Sequence, residues 1–467
     1  MILFALLSVF TGCNDWLSVS PKTDMKAEDL FTTEAGFRDV LIGVYALMTQ
    51  EISYGRDLTY GYLDVLAQYY DSPLRTTSSG YEHNFKKAAE YKYSEKGEES
   101  RITNFWANHY TAVANINLAL EFVDLNKGVF SSEDIHQVYK GELLALRALL
   151  HFDLLRLFAS SPVMDNHKGL SSPAIPYVDV YTNVARPQLT VKEVLEKVEK
   201  DLLAAKALMK DKEEKGDDDS SNPLYNRGQR MNYYAVTALL ARVYLYHNEK
   251  GPALAQAKEI IGEAKGESPT SYVLATAAAT TGNPMFLSEL IFTLDVQKLK
   301  DMSERYFTES FGSTSSILTM SAQGKSTVFN ASGLDNDFRG FWLTEYSDKK
   351  SFVLTKFNGG KYIPMFKISE LYLIAAESAS GEEAYEYLNK LRSHRGLSSI
   401  PATAKLEDYI FEEYRREFIG EGQMFFYYKR KGFDVIGAEN NIGIQDLRAV
   451  YNLPIPTNEI DFGNIKK

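Results

Sequence analysis

Three glutamates near the end of the chain have the spacing that could support catalysis. Glu413, Glu417 and Glu421 recur every fourth residue, so a helix would place them on one face. Two carboxylates that face a substrate could act as the acid and the nucleophile of a glycoside hydrolase. Arg415 and Arg416 lie among them, however, and oppositely charged neighbours on a helix form ion pairs. We therefore expect structural ion pairs, and an α-helical glycoside hydrolase remains an alternative.

No other catalytic or cofactor motif occurs in the chain. It contains no P-loop, no GxGxxG fingerprint, no HExxH, no CxxC and no GxSxG elbow. The 7 histidines are scattered without metal-ligand spacing, and the single cysteine, Cys13, has no partner for a disulfide. We therefore predict that the protein is not an enzyme and has neither a cofactor nor a metal site.

Composition narrows the class of ligand. The net charge of −11 argues against nucleic acid and against anionic membrane surfaces as partners. Aromatic residues make up 13% of the chain, with 30 tyrosines against 3 tryptophans. Because tyrosine combines an apolar face with a polar tip, this excess suits protein cores and sugar- or peptide-binding surfaces alike.

A long apolar helix is the element around which the other segments are organised. From Glu142 to Phe158, leucines recur at helical spacing and apolar residues fill most of the remaining circumference. A helix that is apolar nearly all round is buried among other helices. Pro162 then ends any helix that reaches it. The sequence therefore predicts a mainly α-helical core built on this segment.

Further helices are predicted on both sides of the central one. Residues 33–50 and 104–124 are amphipathic, and 190–209 begin with the capping box of Thr190 and Glu193. Two hairpins, 232–264 and 368–394, place small residues where their helices touch, which resembles tetratricopeptide units. A few short strands are predicted, among them 290–294 and 352–357.

Two long irregular segments, near 71–101 and 272–360, interrupt the helices. Segments of this length in a compact domain are usually functional, and binding residues concentrate on them. We therefore predict ligand contacts from both insertions, and for each aromatic residue packing against the core remains the alternative. The predicted contacts are Tyr69, Tyr70, Asp71, Arg75, Tyr81, His83, Asn84, Trp342 and Tyr346.

The first residues have the pattern of an export signal. Residues 1–10 are apolar but too few to span a bilayer, and the small residues Thr11 and Gly12 precede Cys13. This arrangement resembles a bacterial lipobox. We therefore predict a signal peptide over 1–12, lipidation of Cys13, and a lipidated tether over 13–27.

Four motifs follow one another along the chain: the central helix, a D-x-R motif, the glutamate-rich helix and a closing L-P-I-P segment. The residues that carry them are Glu142, Arg147, Phe152, Asp153, Asp337, Arg339, Glu413, Glu417, Glu421, Gly422 and Leu453 to Pro456. In type and order these motifs resemble those of the SusD/RagB family of outer-membrane nutrient-binding lipoproteins, and the resemblance covers nearly the whole chain.

The resemblance implies a fold and a function. The fold would be one domain over 28–467, with a tetratricopeptide-like helical-repeat core of about four helix pairs that supports the two insertions. The function would be capture of a nutrient oligosaccharide at the cell surface. The protein would be lipid-anchored in the outer membrane and would deliver the oligosaccharide to a SusC-like TonB-dependent transporter, of which it would form the lid. Peptide cargo and a helical-repeat scaffold that docks only protein remain alternatives.

Overall fold

The scaffold of the protein is a series of α-helices that follow one another in space as in sequence. A computed structural model describes residues 27–75, 82–209, 222–276, 284–308, 316–329, 336–437, 442–463 and 465. Cys13, with the predicted signal and tether, and Tyr81 lie outside these residues. The α-helices of the described residues are α1 Ala27–Leu30, α2 Glu34–Met48, α3 Tyr62–Leu66, α4 Lys86–Ala89, α5 Lys96–Val123, α6 Glu133–Phe158, α7 Met164–His167, α8 Val191–Leu208, α9 Tyr233–Tyr246, α10 Lys250–Ile261, α11 Leu299–Phe307, α12 Ala322–Phe329, α13 Ile368–Ser378, α14 Glu382–Ser393, α15 Leu406–Glu417, α16 Gln423–Lys431, α17 Leu447–Tyr451 and α18 Thr457–Phe462.

Eight of these helices form the repeat core. In the order α2, α5, α6, α8, α9, α10, α13 and α14, each packs against the next. Taken two at a time they make four helix pairs, which confirms the predicted mainly α fold with a tetratricopeptide-like core. Among the described residues, none of the helices is both long and apolar enough to cross a lipid bilayer.

The central helix α6 is longer than predicted and is buried as expected. It begins at Glu133 rather than Glu142, because the Ser132 side chain caps it by accepting the Ile135 N–H. Its leucines are buried, except Leu144, which is partly buried. Arg147 is also buried, and its guanidinium forms a bidentate pair with Asp201 of α8 at 2.7 and 2.8 Å. The charge-assisted hydrogen bonds of this pair compensate both side chains for the contacts with water that they lose on burial.

Local signals set the helix ends where the sequence predicted them. The Thr33 side chain accepts the Gly36 N–H at the start of α2. Thr190 and Glu193 form both hydrogen bonds of a capping box at the start of α8.

Both insertions contain more helix than predicted. Helix α5 begins at Lys96 rather than at residue 104, so the last part of the first insertion belongs to the core. Glu98 and Glu99 lie in its first turn, where the helix dipole favours negative charge. The high charge of this stretch obscured its helical period. The second insertion likewise contains α11 and α12.

Short antiparallel strands accompany the helices. The strands of the described residues are β1 Leu290–Asp295, β2 Met320–Ser321, β3 Leu343–Glu345, β4 Ser351–Leu354, β5 Tyr362–Lys367, β6 Val435–Ile436 and β7 Ile442–Gly443. Strand β1 pairs with β5, β4 lies between β2 and β3, and β6 pairs with β7. The β1–β5 pair contacts α9 of the repeat core. The β4–β2 and β4–β3 pairings join the two parts of the second insertion into one unit.

Candidate ligand-binding surface

A cluster of buried charges fixes the second insertion to α15. The Arg339 guanidinium lies 2.7 Å from both Asp337 and Glu413 and 2.9 Å from Glu417. All four side chains are completely buried. We call this the ion cluster, and its members are Glu289, Asp337, Arg339, Lys356, Lys367, Arg392, Arg395, Glu413, Arg416, Glu417 and Glu421.

The ion cluster engages all three glutamates that could have supported catalysis. Arg395 bonds Glu417 at 3.0 Å and Glu289 at 2.7 Å. Lys356 and Lys367 bond Glu421 at 2.6 and 2.7 Å. Because these carboxylates are buried and paired with cations, they face no substrate in this conformation. The ion-pair interpretation of the glutamates is therefore confirmed.

The ion cluster should make the protein sensitive to acid. Burial raises the pKa of Glu413, but Arg416, Arg339 and Arg392 outweigh burial and lower it from 4.5 to about 2. A carboxylate whose pKa falls on folding stabilises the protein above its unfolded pKa and loses that contribution as the pH falls towards the folded one. We expect Glu413 to contribute about 3 kcal/mol at neutral pH, lost between about pH 4.5 and 2.

Urea unfolding over this pH range tests the expectation. The Glu413→Gln variant should be less stable than the wild type at neutral pH, and the two stability curves should converge near pH 2, where the wild-type carboxyl protonates. Glu407→Gln, on the exposed side of α15, is the control and should follow the wild-type curve. Parallel curves for Glu413→Gln and the wild type would contradict the prediction.

A second contact fixes the residues before the first insertion to the turn between α15 and α16. The buried Asp64 side-chain oxygens accept the backbone N–H groups of Gly420 at 2.6 Å and Gly422 at 2.9 Å. Burial raises the pKa of Asp64 to about 8, although these two hydrogen bonds oppose the shift. Tyr69 donates its hydroxyl to the Arg415 carbonyl at 2.6 Å. Both insertions are thus fixed to the same helix–turn–helix unit.

The two insertions also meet each other. The backbone N–H groups of Asp71 and Ser72 donate to the Thr319 carbonyl at 3.0 and 3.3 Å. The His83 Nε2 atom lies 3.0 Å from the Ile317 carbonyl. Asp71 and His83 of the first insertion therefore lie against the residues directly before β2 of the second.

Three of the predicted contacts are at the surface where the insertions meet. Asn84 is exposed and donates to the Ser316 hydroxyl at 2.9 Å. The Arg75 side chain is 44% exposed, and Tyr346, directly after β3, is partly exposed. Burial raises the pKa of Asp348, but hydrogen bonds and then the positive charge of nearby Arg75 lower it overall. We call this the insertion surface, and it comprises Arg75, Asn84, Ser316, Tyr346 and Asp348.

The other predicted aromatic contacts are buried. Trp342 is only 1% exposed, and its indole N–H donates to the Pro284 carbonyl at 2.8 Å. The Lys356 ammonium lies 3.8 Å from the Trp342 ring centroid. Tyr69 and Tyr70 are similarly covered, and Tyr70 packs against Phe307. These three rings are packed inside the protein, and a ligand could stack on them only after the insertions rearranged.

Two further predicted contacts lie beneath the insertion surface. Asp71 and His83 are mostly buried, and the Asp71 carboxylate forms an ion pair with Arg75. A role in binding stays a prediction for every one of these residues.

Sequence reasoning did not select Ser316, Asp348 or the exposed Phe341. Phe341 is 41% exposed although its neighbour Trp342 is buried. The two rings lie in a 3₁₀ turn, where successive side chains point about 120° apart, so adjacent rings cannot both face the core. In the sequence, the short turn that follows Asp337 was the feature that could have indicated the exposure of Phe341.

Comparisons with known proteins agree with the fold. A family model described as "Starch-binding associating with outer membrane" matches residues 15–245, and one described as "SusD family" matches residues 207–462. SusD-like protein P25 from Formosa agariphila is 21% identical, over 90% of this chain and 86% of the relative.

Solved structures show the same architecture. A SusD superfamily protein from Bacteroides vulgatus has a TM-score of 0.72 at 23% identity, over 92% of this chain and 97% of that one. A laminarin binding SusD-like protein has a TM-score of 0.68 at 18% identity, over 93% and 98%. At these identities the structures establish the fold alone. The family model that spans 207–462 covers more than half of the sequence, and the chain therefore belongs to the SusD/RagB family.

Proposed function

We propose that the protein captures a nutrient oligosaccharide on the insertion surface and does not turn it over. The observation that carries the proposal is the meeting of the two insertions, which leaves Arg75, Asn84 and Tyr346 at the surface. Support also comes from the family description "Starch-binding" and from the relative described as laminarin binding. Peptide cargo at the same surface is the second candidate.

The chemistry of the insertion surface suits sugars. A pyranose ring has apolar faces and an edge of hydroxyls that both donate and accept hydrogen bonds. The partly exposed Tyr346 ring offers an apolar face for stacking. The amide of Asn84 can donate and accept, and Arg75 and Asp348 supply charged groups at the edge. Because the underlying contacts are buried, the surface is largely preformed, which lowers the entropic cost of binding.

Delivery to a transporter completes the proposal. The protein would be lipid-anchored through Cys13 at the outer-membrane surface, where more than one acyl chain gives stable anchoring. It would act as the lid of a SusC-like TonB-dependent transporter.

A second surface supports a protein partner. Val180, Tyr181, Val184 and Phe462 are 45%, 54%, 66% and 82% exposed. Val180, Val184 and Phe462 line a groove of about 720 Å³ between α5, residues 176–186 and α18. Large apolar side chains grouped at a surface mark interaction sites.

Replacing Tyr346 tests the insertion surface. Tyr346→Ala should weaken binding of the cognate oligosaccharide roughly two- to twelvefold, because it removes a stacking face that is worth about 0.5–1.5 kcal/mol. Isothermal titration calorimetry measures the change, and Tyr181→Ala, an exposed tyrosine outside the insertion surface, should bind like the wild type. Equal losses in both variants, or no loss in Tyr346→Ala with the fold intact, would remove Tyr346 from the site.

Glycan arrays and peptide pools on the purified protein test the function as a whole. A defined oligosaccharide that binds without being cleaved supports capture and names the substrate class. Binding of a peptide alone keeps the site and changes its cargo, and cleavage of a bound glycan supports the hydrolase alternative. If neither class binds but a transporter co-purifies from native membranes, the protein is a docking scaffold.

A further inference from the structure

A second pocket lies against α2. It has a volume of about 430 Å³ and is enclosed by the outer face of α2, residues 222–230 and the end of β1. We call it the α2 pocket. Its size falls within the roughly 300–1,000 Å³ of small-molecule sites. No residue that lines it belongs to the insertion surface.

The floor of the α2 pocket is rigid. The Tyr45 hydroxyl donates to the Glu142 carboxylate at 2.6 Å and accepts the Met231 N–H at 2.8 Å. Arg230 bonds the same carboxylate at 2.7 and 3.0 Å and the Pro223 carbonyl at 2.7 Å. Glu142 belongs to the central helix α6 and is completely buried. The pocket is therefore preformed by the repeat core.

The walls of the pocket combine apolar surface with amide groups. Ile42 is 57% exposed, an unusual exposure for a large aliphatic side chain, and Tyr225 is partly exposed opposite α2. Gln229 donates its amide N–H to the Tyr362 hydroxyl at 3.3 Å, and Gln297 donates to Asp295 at 2.5 Å. A glutamine amide can both donate and accept hydrogen bonds, so both side chains add polar groups to the wall of the pocket. An apolar face bordered by hydrogen-bonding groups suits a sugar ring.

The charge of the pocket is the feature that distinguishes it. Asp295 is paired with Lys361 at 2.8 Å, and Arg230 is satisfied by Glu142. Arg38, one turn before Ile42 on α2, is exposed and forms no ion pair within the described part of the chain. An unpaired guanidinium at the mouth of a preformed pocket favours an anionic group in the ligand.

We propose that the α2 pocket binds an acidic sugar unit, one that carries a carboxylate or a sulfate, with Arg38 as the residue that recognises the anion. The proposal rests on the proposed function, because the acidic unit would belong to the oligosaccharides that the protein captures. Two sites on one chain would bind a branched or long glycan with higher avidity than either site alone.

Calorimetry with matched tetrasaccharides tests the proposal. The probes are a neutral β-glucan, an oligogalacturonide and a sulfated galactan of equal length, and an acidic peptide. Each is titrated into the purified wild-type protein and its variants. Arg38→Gln should weaken binding of an acidic probe by about tenfold or more, because a charge-assisted hydrogen bond is lost, and should leave the neutral probe unaffected. Ile42→Glu, which places a carboxylate at the mouth of the pocket, should abolish the preference for acidic probes. Lys200→Gln removes an exposed charge from α8 and should have no effect.

The outcomes separate this proposal from the proposed function. If Tyr346→Ala weakens a glycan but Arg38→Gln changes no probe, the insertion surface stands and the α2 pocket is overturned as a site. If the wild-type protein binds no glycan, both proposals fail. If Arg38→Gln weakens only an acidic peptide, the pocket binds peptide and the sugar assignment is wrong. A selective loss for the carboxylate probe or for the sulfate probe supports the proposal and names the anion.

Discussion

Replacing Arg339 by methionine should lower the free energy of unfolding by about 3–5 kcal/mol. Methionine retains much of the apolar stem of arginine but removes the guanidinium that now bonds Asp337, Glu413 and Glu417. The carboxylates that remain would stay buried with fewer cations beside them. Arg392 and Arg416 do not replace the lost guanidinium, because both already form ion pairs with Glu413. Such a loss is a large part of the roughly 5–15 kcal/mol by which proteins are stable.

Urea unfolding at neutral pH, followed by tryptophan fluorescence, measures this loss. Arg305→Met is the matched control, because it removes an arginine that is 55% exposed and paired with Glu51 at 3.2 Å. Solvent screens such a pair, so its loss should cost less than about 1 kcal/mol. Similar losses in the two variants would show that burial does not determine how much the ion cluster contributes to the free energy of unfolding.

Replacing Gly422 by alanine should destabilise the protein by about 2–4 kcal/mol. Gly422 has a φ of +69°, and a Cβ atom there would lie 2.5 Å from the Leu58 carbonyl oxygen. Neither the left-handed backbone nor the neighbouring main chain can relax easily, because the Gly422 N–H is held by Asp64. The turn between α15 and α16 would move away from Leu58 and Asp64, which precede the first insertion.

The shift in thermal unfolding temperature of Gly422→Ala, compared with that of a second glycine variant, measures this loss of stability. Gly43→Ala is the control of opposite sign, since Gly43 lies within α2 and a Cβ there meets no atom within 4 Å. It should stabilise the protein by about 0.5–1 kcal/mol, because alanine loses less conformational freedom in a helix. A Gly422→Ala protein as stable as the wild type would show that the turn adapts.

The repeat core could be predicted from the sequence because its signals are local. Helical periodicity and the caps at Thr33 and Thr190 depend on residues three or four apart. Charged stretches were the exception. Helix α5 begins at Lys96 because Glu98 and Glu99 suit its first turn, but apolar periodicity cannot show this.

The candidate site could be predicted only as a region. The segments near 71–101 and 272–360 do meet, but which rings face solvent depends on long-range contacts. Trp342 is covered by Lys356 and Pro284, and Tyr69 by the α15 backbone. The partners of Glu417 were equally hidden, because Arg339 lies 78 positions away in the chain. Helical spacing indicated only partners within α15.

The ion cluster joins parts of the chain that are far apart in sequence. Glu289 and Arg395 are 106 positions apart, and closing so long a loop is slow compared with packing helices that follow one another closely. Helices α2 to α10 pack in sequence order without the second insertion, whereas α13 packs on α10 across that insertion. We therefore expect α2 to α10 to assemble early, and the second insertion to become ordered only once α15 supplies its buried partners. A nascent chain that ends before α15 would carry most of the scaffold and no capture surface.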